Sequence, residues 1–218
     1  MSTRIRGAML ALSFGVAFIG GSASYAASAD GYGPETPVYD TPPPTGAKIA
    51  GNLANPTKGR YNCCFGWTLQ GASASGGQQW LAVSFKPATN TTVKTIELPL
   101  SIASGSNAVV ITLNRNAGGI PGTTLATFNA SSLPSFGTRG TCCALVTLTS
   151  ASGVAVTGGA TYWIVVKTGS GSTFQGTWHA NVLNQTGIQN GAIINGTTGG
   201  NWALTSFKPG VGFAVFGP

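Results

Sequence analysis

Residues 157–167 read Thr-Gly-Gly-Ala-Thr-Tyr-Trp-Ile-Val-Val-Lys. The paired glycines supply the positive φ that a tight turn requires. After them, Tyr162, Ile164 and Val166 occupy every second position, and a period of two over a short run is typical of a β-strand with one buried face. This segment therefore predicts a turn that leads directly into a strand.

The same period recurs along most of the chain. Its alternating apolar residues are Leu81, Val83 and Phe85; Ile96, Leu98 and Leu100; Val109, Ile111 and Leu113; Val146 and Leu148; and Val211, Phe213 and Val215. Glycine-rich segments at 104–107 and 116–122 indicate turns between these runs. The pattern predicts an all-β fold of two packed antiparallel sheets, a β-sandwich of jelly-roll type.

Composition limits the chemistry that the chain can perform. Among 218 residues, 42% are hydrophobic, which is enough for a core, and only 7% are charged. The four carboxylates are Asp30, Glu35, Asp40 and Glu97, and the one histidine is His179. Glycoside hydrolysis normally uses two carboxylates, and a Ser-His-Asp triad needs an acid to orient its base. We therefore expect no enzymatic activity, no cofactor and no metal site.

The first 29 residues have the layout of a secretory signal peptide. Arg4 and Arg6 precede an apolar run over Gly7–Gly20, and Ala27-Ser28-Ala29 offers a cleavage site. The run is shorter than the ~20 residues that span a bilayer, and no later segment is long and apolar enough to do so. We expect a protein secreted by a bacterium, located outside the cell or in the periplasm.

Residues 30–47 form a proline-rich linker in this interpretation. Five of the sixteen residues over Asp30–Thr45 are proline, which lacks a backbone donor and cannot join a helix or a sheet interior. The segment predicts an extended spacer. The folded domain is then expected over residues 48–218.

Five short motifs follow one another between residues 60 and 217. They are Gly66-Trp67, the strand Gln79–Phe85, the turn and strand Gly118–Ala126, the strand Thr157–Val166 and the closing Phe213–Gly217. In order and spacing they resemble the choice-of-anchor type of exported bacterial domain. The resemblance implies a jelly-roll-like sandwich on exported, often surface-attached proteins, without established catalytic residues.

The four cysteines form two adjacent pairs, Cys63-Cys64 and Cys142-Cys143. Export favours disulfides, and four cysteines allow three connectivities. Antiparallel neighbouring segments would pair Cys63 with Cys143 and Cys64 with Cys142, whereas parallel ones would pair Cys63 with Cys142 and Cys64 with Cys143. The third option is a bridge within each pair, which strains the intervening peptide. Adjacent cysteines lack the spacer of a zinc knuckle, so zinc is not expected.

Four residues are candidates for ligand binding: Trp67, Trp178, His179 and Trp202. The three tryptophans lie near Gly, Asn and Thr, hence near loops, and an exposed indole is a good binding platform. For His179 we favour an interpretation in which Trp178 packs in the core and the imidazole faces out. Trp163, inside a strong strand pattern, is expected to pack. Glu97, in an alternating strand, is expected to face solvent.

The expected domain is basic. Its nine Lys and Arg residues against Glu97 give a formal charge of +8. Such a surplus favours anionic partners such as an acidic polysaccharide, but the charges are scattered and form no nucleic-acid motif, so no nucleic-acid partner is expected.

Three hypotheses for function follow from these features. The first is a non-catalytic exported domain for binding or surface presentation, with a polysaccharide or another cell-surface component as its partner. The second is a structural protein that assembles into a surface layer or matrix. The third is a hydrolase, which would require Glu97 or His179 in a cleft.

Overall fold

The computed structural model describes residues 44–53, 60–62, 65–136, 145–183, 201–205 and 209–218, together with the backbone of 191–195. The signal peptide expected over 1–29 and most of the linker expected over 30–47 lie outside the described residues. The described residues form twelve β-strands and no helix. The prediction of an all-β fold is therefore confirmed.

The strands, in chain order, are β1 (Lys48–Gly51), β2 (Gly66–Gln70), β3 (Gln79–Phe85), β4 (Thr91–Ser104), β5 (Ala108–Ala117), β6 (Ile120–Ser131), β7 (Leu145–Val156), β8 (Tyr162–Lys167), β9 (Gln175–His179), β10 (Gly191–Asn195), β11 (Ala203–Thr205) and β12 (Ala214–Phe216). Every ladder between these strands is antiparallel. They connect into one large antiparallel sheet.

β4 is the longest strand, and it changes neighbours close to Pro99. Along one edge, Thr95–Glu97 pair with β12, and from Leu100 onward the strand pairs with β9. Along the other edge, β4 pairs with β7. Proline has no backbone N–H to donate, so it suits the position at which one ladder ends and another begins.

The remaining strands extend from β3. On one edge β3 pairs with β10, which pairs with β11. On the other edge β3 pairs with β8, and β8, β5 and β6 follow in that order. The sheet thus has one part around β4 and another around β3. β2 joins these two parts, because it pairs with β9 along its length and with β3 at Gln70.

One large apolar cluster forms the core and draws on both parts of the sheet. Four of its β4 members, Ile96, Leu98, Leu100 and Ile102, occupy alternate positions of the strand. The rings of Phe85, in β3, and Phe213, just before β12, lie 6.5 Å apart between centroids. The alternating residues in the sequence therefore identify the core-facing side of these strands.

The turn between β5 and β6 forms where the glycine pattern predicts one. Ala117 pairs with Ile120, which leaves Gly118 and Gly119 as a two-residue loop. Their φ angles are 62° and 92°, the left-handed values that a hairpin turn of this length requires at both positions. Side chains other than glycine adopt this conformation at a cost, so the sequence determines the turn locally.

Candidate functional site

Trp67 and Trp178 lie opposite each other on β2 and β9. Both pack in the main apolar cluster, and Trp178 is fully buried. Each indole N–H donates to a backbone carbonyl near the C-terminus, Trp67 to Pro209 at 3.0 Å and Trp178 to Gly212 at 2.7 Å. The pair therefore holds residues 209–213 against the core, and Trp178 offers no platform to a ligand.

His179 lies on the opposite face of β9 and is also fully buried. Its Nε2 atom is 2.8 Å from the Ser101 hydroxyl oxygen. The Phe136 ring stacks on the imidazole at 5.8 Å, and the Tyr61 ring lies 5.9 Å away at an angle of 43°. The favoured prediction that His179 faces solvent is wrong, because residues 60–62 and 133–136 cover this face of β4 and β9.

Burial also sets the protonation state of His179. Removal from water lowers its pKa to about 4, while the backbone groups of Asn62 and Phe65 oppose part of this change. The imidazole is therefore neutral at pH 7. The neutral ring packs against two aromatic side chains and meets the Ser101 hydroxyl through Nε2, whereas its buried Nδ1 atom has no hydrogen-bond partner within the described residues.

Glu97 is buried as well, with 2% of its surface exposed. Its carboxylate forms an ion pair with the guanidinium of Arg60, which is itself 7% exposed. Burial and the nearby Arg60 charge lower the pKa of the Lys48 ammonium. The expectation that Glu97 faces solvent is wrong: Glu97 does lie on the face opposite Ile96 and Leu98, but Arg60 and its neighbours cover that face.

This arrangement bears on the hydrolase hypothesis. Ser101 and His179 form a hydrogen-bonded pair, but both are fully buried, and Glu97 is engaged by Arg60. A nucleophile must reach its substrate, and its base must be oriented by a third group. The described part of the chain also contains no group of three His, Cys, Asp or Glu side chains placed to hold a metal ion. The geometry gives catalysis by Ser101 and His179 no support.

A different face of the sheet brings tryptophans together. On β3 and β8, Ala82, Trp163 and Val165 form a small buried cluster that points away from the main core, and the half-buried Trp202 packs against it. Trp80 is two residues before Ala82 on β3 and is therefore on the same side of the sheet. We call this surface, defined by Trp80, Trp163 and Trp202, the aromatic face.

Polar atoms of β5 lie beside these rings. Thr112 and Asn114 pair with Val165 and Trp163 and lie on the same side of the sheet. The Thr112 Oγ1 and Asn114 Oδ1 atoms are buried and make no hydrogen bond within the described residues. The Asn114 amide nitrogen donates to the Gly122 carbonyl at 2.6 Å, which fixes the direction of its oxygen. An unpaired buried oxygen costs about 1–3 kcal/mol, so a donor reaching this face would gain affinity.

Lys167 provides a cation at the edge of the aromatic face. Val166 pairs with Leu81 on β3, and the strands are antiparallel. The next residue of β8, Lys167, is therefore level with Trp80. Both side chains are half-buried, and the Trp80 indole donates to the Thr168 hydroxyl at 2.9 Å. This end of the face therefore combines an oriented ring with a positive charge.

The sequence prediction thus identified one residue of this face, Trp202, and missed four others. Trp163 is fully buried, which confirms the prediction that it packs. Trp80, Thr112, Asn114 and Lys167 were not proposed as binding residues. The alternation of β3, β5 and β8 places all four opposite the core-facing residues, but a single sequence does not tell which strands bring them together.

The chain was compared with protein-family models, with curated proteins and with solved structures, and none of the three comparisons gives a match. Within the described residues, no helix is long and apolar enough to cross a membrane. The cysteines at 63, 64, 142 and 143 lie outside the described residues.

Proposed function

We propose that this chain is an exported, non-catalytic domain that binds a glycan on its aromatic face. The observation that carries the proposal is the position of two half-buried tryptophans, Trp80 and Trp202, on the same side of the sheet as the unpaired oxygens of Thr112 and Asn114. Sugar rings carry apolar C–H surfaces and hydroxyl donors. Aromatic surface with a few convergent polar groups suits such a ligand.

The half-buried Trp202 gives a ligand its route to the buried oxygens. Trp202 packs against the cluster of Ala82, Trp163 and Val165, and Val165 is the cross-strand partner of Thr112. A small movement of the Trp202 ring would admit a sugar hydroxyl to the Thr112 and Asn114 oxygens. Lys167 favours an acidic sugar at the other end of the face, in keeping with the excess of basic over acidic residues.

Trp202→Ala is expected to weaken glycan binding by about fivefold to 150-fold. Stacking on one ring contributes on the order of 1–3 kcal/mol where a planar ligand group meets an aromatic side chain. Retention of the protein on columns of neutral and acidic polysaccharides measures the effect. The matched control is Leu183→Ala, an exposed apolar residue beyond the end of β9, which should leave retention unchanged.

Two results would contradict the proposal. One is the absence of retention on every polysaccharide tested. The other is equal retention of wild type and Trp202→Ala, since binding would then occur elsewhere. Thermal unfolding of each variant establishes that lost retention does not reflect a lost fold.

The finer architecture is part of the same proposal. We propose that the strands form a two-sheet sandwich of jelly-roll type, with β4, β7 and β12 in one layer and β3, β8, β5 and β6 in the other. The shared apolar core and the Phe85–Phe213 ring contact support two facing layers. The signal-peptide pattern and the resemblance to choice-of-anchor domains support export.

We further propose that disulfides join Cys63-Cys64 to Cys142-Cys143. Tyr61 and Leu145, each two residues from a cysteine, belong to one apolar cluster. Because a residue spans at most about 3.6 Å, this shared cluster of their described neighbours supports a cross-link between the two cysteine pairs. The antiparallel and parallel pairings both remain open.

Peptide mapping of the unreduced mature protein is expected to detect peptides that join residues 63–64 to residues 142–143. After reduction, the mass of each joined species should disappear and the masses of its two separate peptides should appear. Four free thiols, or a bridge confined to each adjacent pair, would contradict the cross-link. Comparison with the reduced and alkylated protein provides the control.

A further inference from the structure

β6 lies at one end of the strand order and is the long edge strand of this part of the sheet. It pairs with β5 over most of its length. Among the described strands it has no second ladder, although β7 comes close to it. Its outer edge therefore presents backbone N–H and C=O groups that a further strand can pair with.

The second half of β6 lacks the usual protection of an edge. The register shifts between Leu113 and Asn114, so that Leu125 is an extra residue on β6 and interrupts the ladder. From Ala126 to Ser131 the pairing is regular, and this stretch contains no charged residue and no proline. Soluble proteins normally interrupt such an edge with lysine, proline or a bulge.

β7, the other long edge strand, differs in this respect. Its ladder with β4 is irregular between Val93 and Thr95. The Lys94 ammonium donates to the Ala151 carbonyl at 2.9 Å, which places a charge beside the strand. β7 thus has both a distortion and a nearby lysine, whereas Ala126–Ser131 has neither.

The side chains of β6 also suit a neighbouring strand. Thr127 and Asn129 are exposed and point to the side of the sheet that bears the aromatic face. Phe128 points to the core but is only partly covered. A strand added beside β6 would cover more of the Phe128 ring and would offer hydrogen-bonding partners to the threonine and asparagine.

We propose that Ala126–Ala130 pairs antiparallel with the same segment of a second copy of this chain, so that Phe128 lies opposite its counterpart and Thr127 lies opposite Asn129. Identical strands pair antiparallel about a two-fold axis, which makes one contact complementary to itself. A neutral segment suits this role, because two domains with an excess of basic residues then meet where neither carries charge. The contact is closed, so it produces a dimer rather than a filament.

The dimer would have a consequence for ligand binding. In an antiparallel pair within one continuous sheet, the two-fold axis is perpendicular to the sheet. The two aromatic faces then lie on the same side, and a long polymer can reach both at once, which raises its apparent affinity. The dimer itself does not depend on the proposed glycan and can be measured without it.

Light scattering coupled to gel filtration tests the proposal on the mature protein without ligand. We expect a dimer for the wild type and a monomer for Thr127→Lys, because each lysine would place a charge inside the neutral contact, opposite Asn129 of the other copy and diagonal to its lysine. Asn129→Lys is a second variant with the same expected result, in case the first does not fold. The matched control is Ala155→Lys, an exposed position of β7, which should remain a dimer.

Each outcome supports or overturns the assignment. A monomeric wild type at high protein concentration would overturn the dimer and leave glycan binding to be judged by its own test. Folded lysine variants of β6 that remain dimeric would overturn the contact. A monomeric Ala155→Lys variant would assign the contact to β7 instead.

Discussion

Glu97→Ala is expected to lower the free energy of unfolding by about 3–5 kcal/mol, the range for removing one partner of a buried ion pair. The substitution leaves the Arg60 guanidinium at 7% exposure without its counter-ion. An arginine guanidinium is not deprotonated in proteins, so loss of the charge does not relieve this cost. Urea unfolding followed by tryptophan fluorescence measures the change, for which the five tryptophans provide a signal.

The double variant Arg60→Met with Glu97→Leu separates the cost of an unpaired charge from the value of the pair. Apolar replacement of both partners is often neutral or stabilising, so the double variant should be more stable than Glu97→Ala alone. Lys94→Ala, on the same strand but at the surface, should change stability by less than about 0.5 kcal/mol. A Glu97→Ala protein as stable as Lys94→Ala would contradict a buried pair.

Acid is expected to destabilise the domain through His179. The pKa of this imidazole is about 4 in the folded chain and about 6.5 when unfolded. Between these values the unfolded chain binds more protons than the folded one, so stability falls as the pH decreases. Through this group the free energy of unfolding is constant above about pH 6.5 and is lower by roughly 3 kcal/mol at pH 4.

His179→Gln keeps a side chain that can bond to the Ser101 hydroxyl but removes the titrating group. The difference in unfolding free energy between wild type and this variant should be constant above pH 7 and should shrink between pH 6.5 and pH 4. Taking the difference cancels the titration of carboxylates common to both proteins. If this difference does not change between pH 6.5 and pH 4, His179 is accessible to solvent in the folded chain.

The sequence was sufficient for the strands and for the β5–β6 turn, because both depend on neighbours along the chain. Alternation identified the core-facing residues of β3, β4, β5 and β8, and Gly118-Gly119 identified the hairpin. It also placed Glu97 correctly opposite Ile96 and Leu98. These features depend on strand geometry, which a single sequence expresses directly.

The burial of Glu97 and His179 could not be predicted in the same way. Glu97 is covered because Arg60, 37 residues earlier, lies against it, and His179 is covered by the rings of Tyr61 and Phe136. Alternation tells which residues share a face, but not whether another segment crosses that face. The aromatic face was missed for the same reason, since Trp202 reaches the cluster of Ala82, Trp163 and Val165 only after β10 and β11 have joined β3.

The most direct test of the proposed function is the NMR signal of the five indole N–H groups during titration with a polysaccharide that retains the protein. We predict that the signals of Trp80 and Trp202 shift as the ligand is added. The signals of Trp67 and Trp178, bonded to the carbonyls of Pro209 and Gly212, should stay in place. Shifts confined to Trp67 and Trp178, or no indole shift at saturating ligand, would contradict glycan binding on the aromatic face.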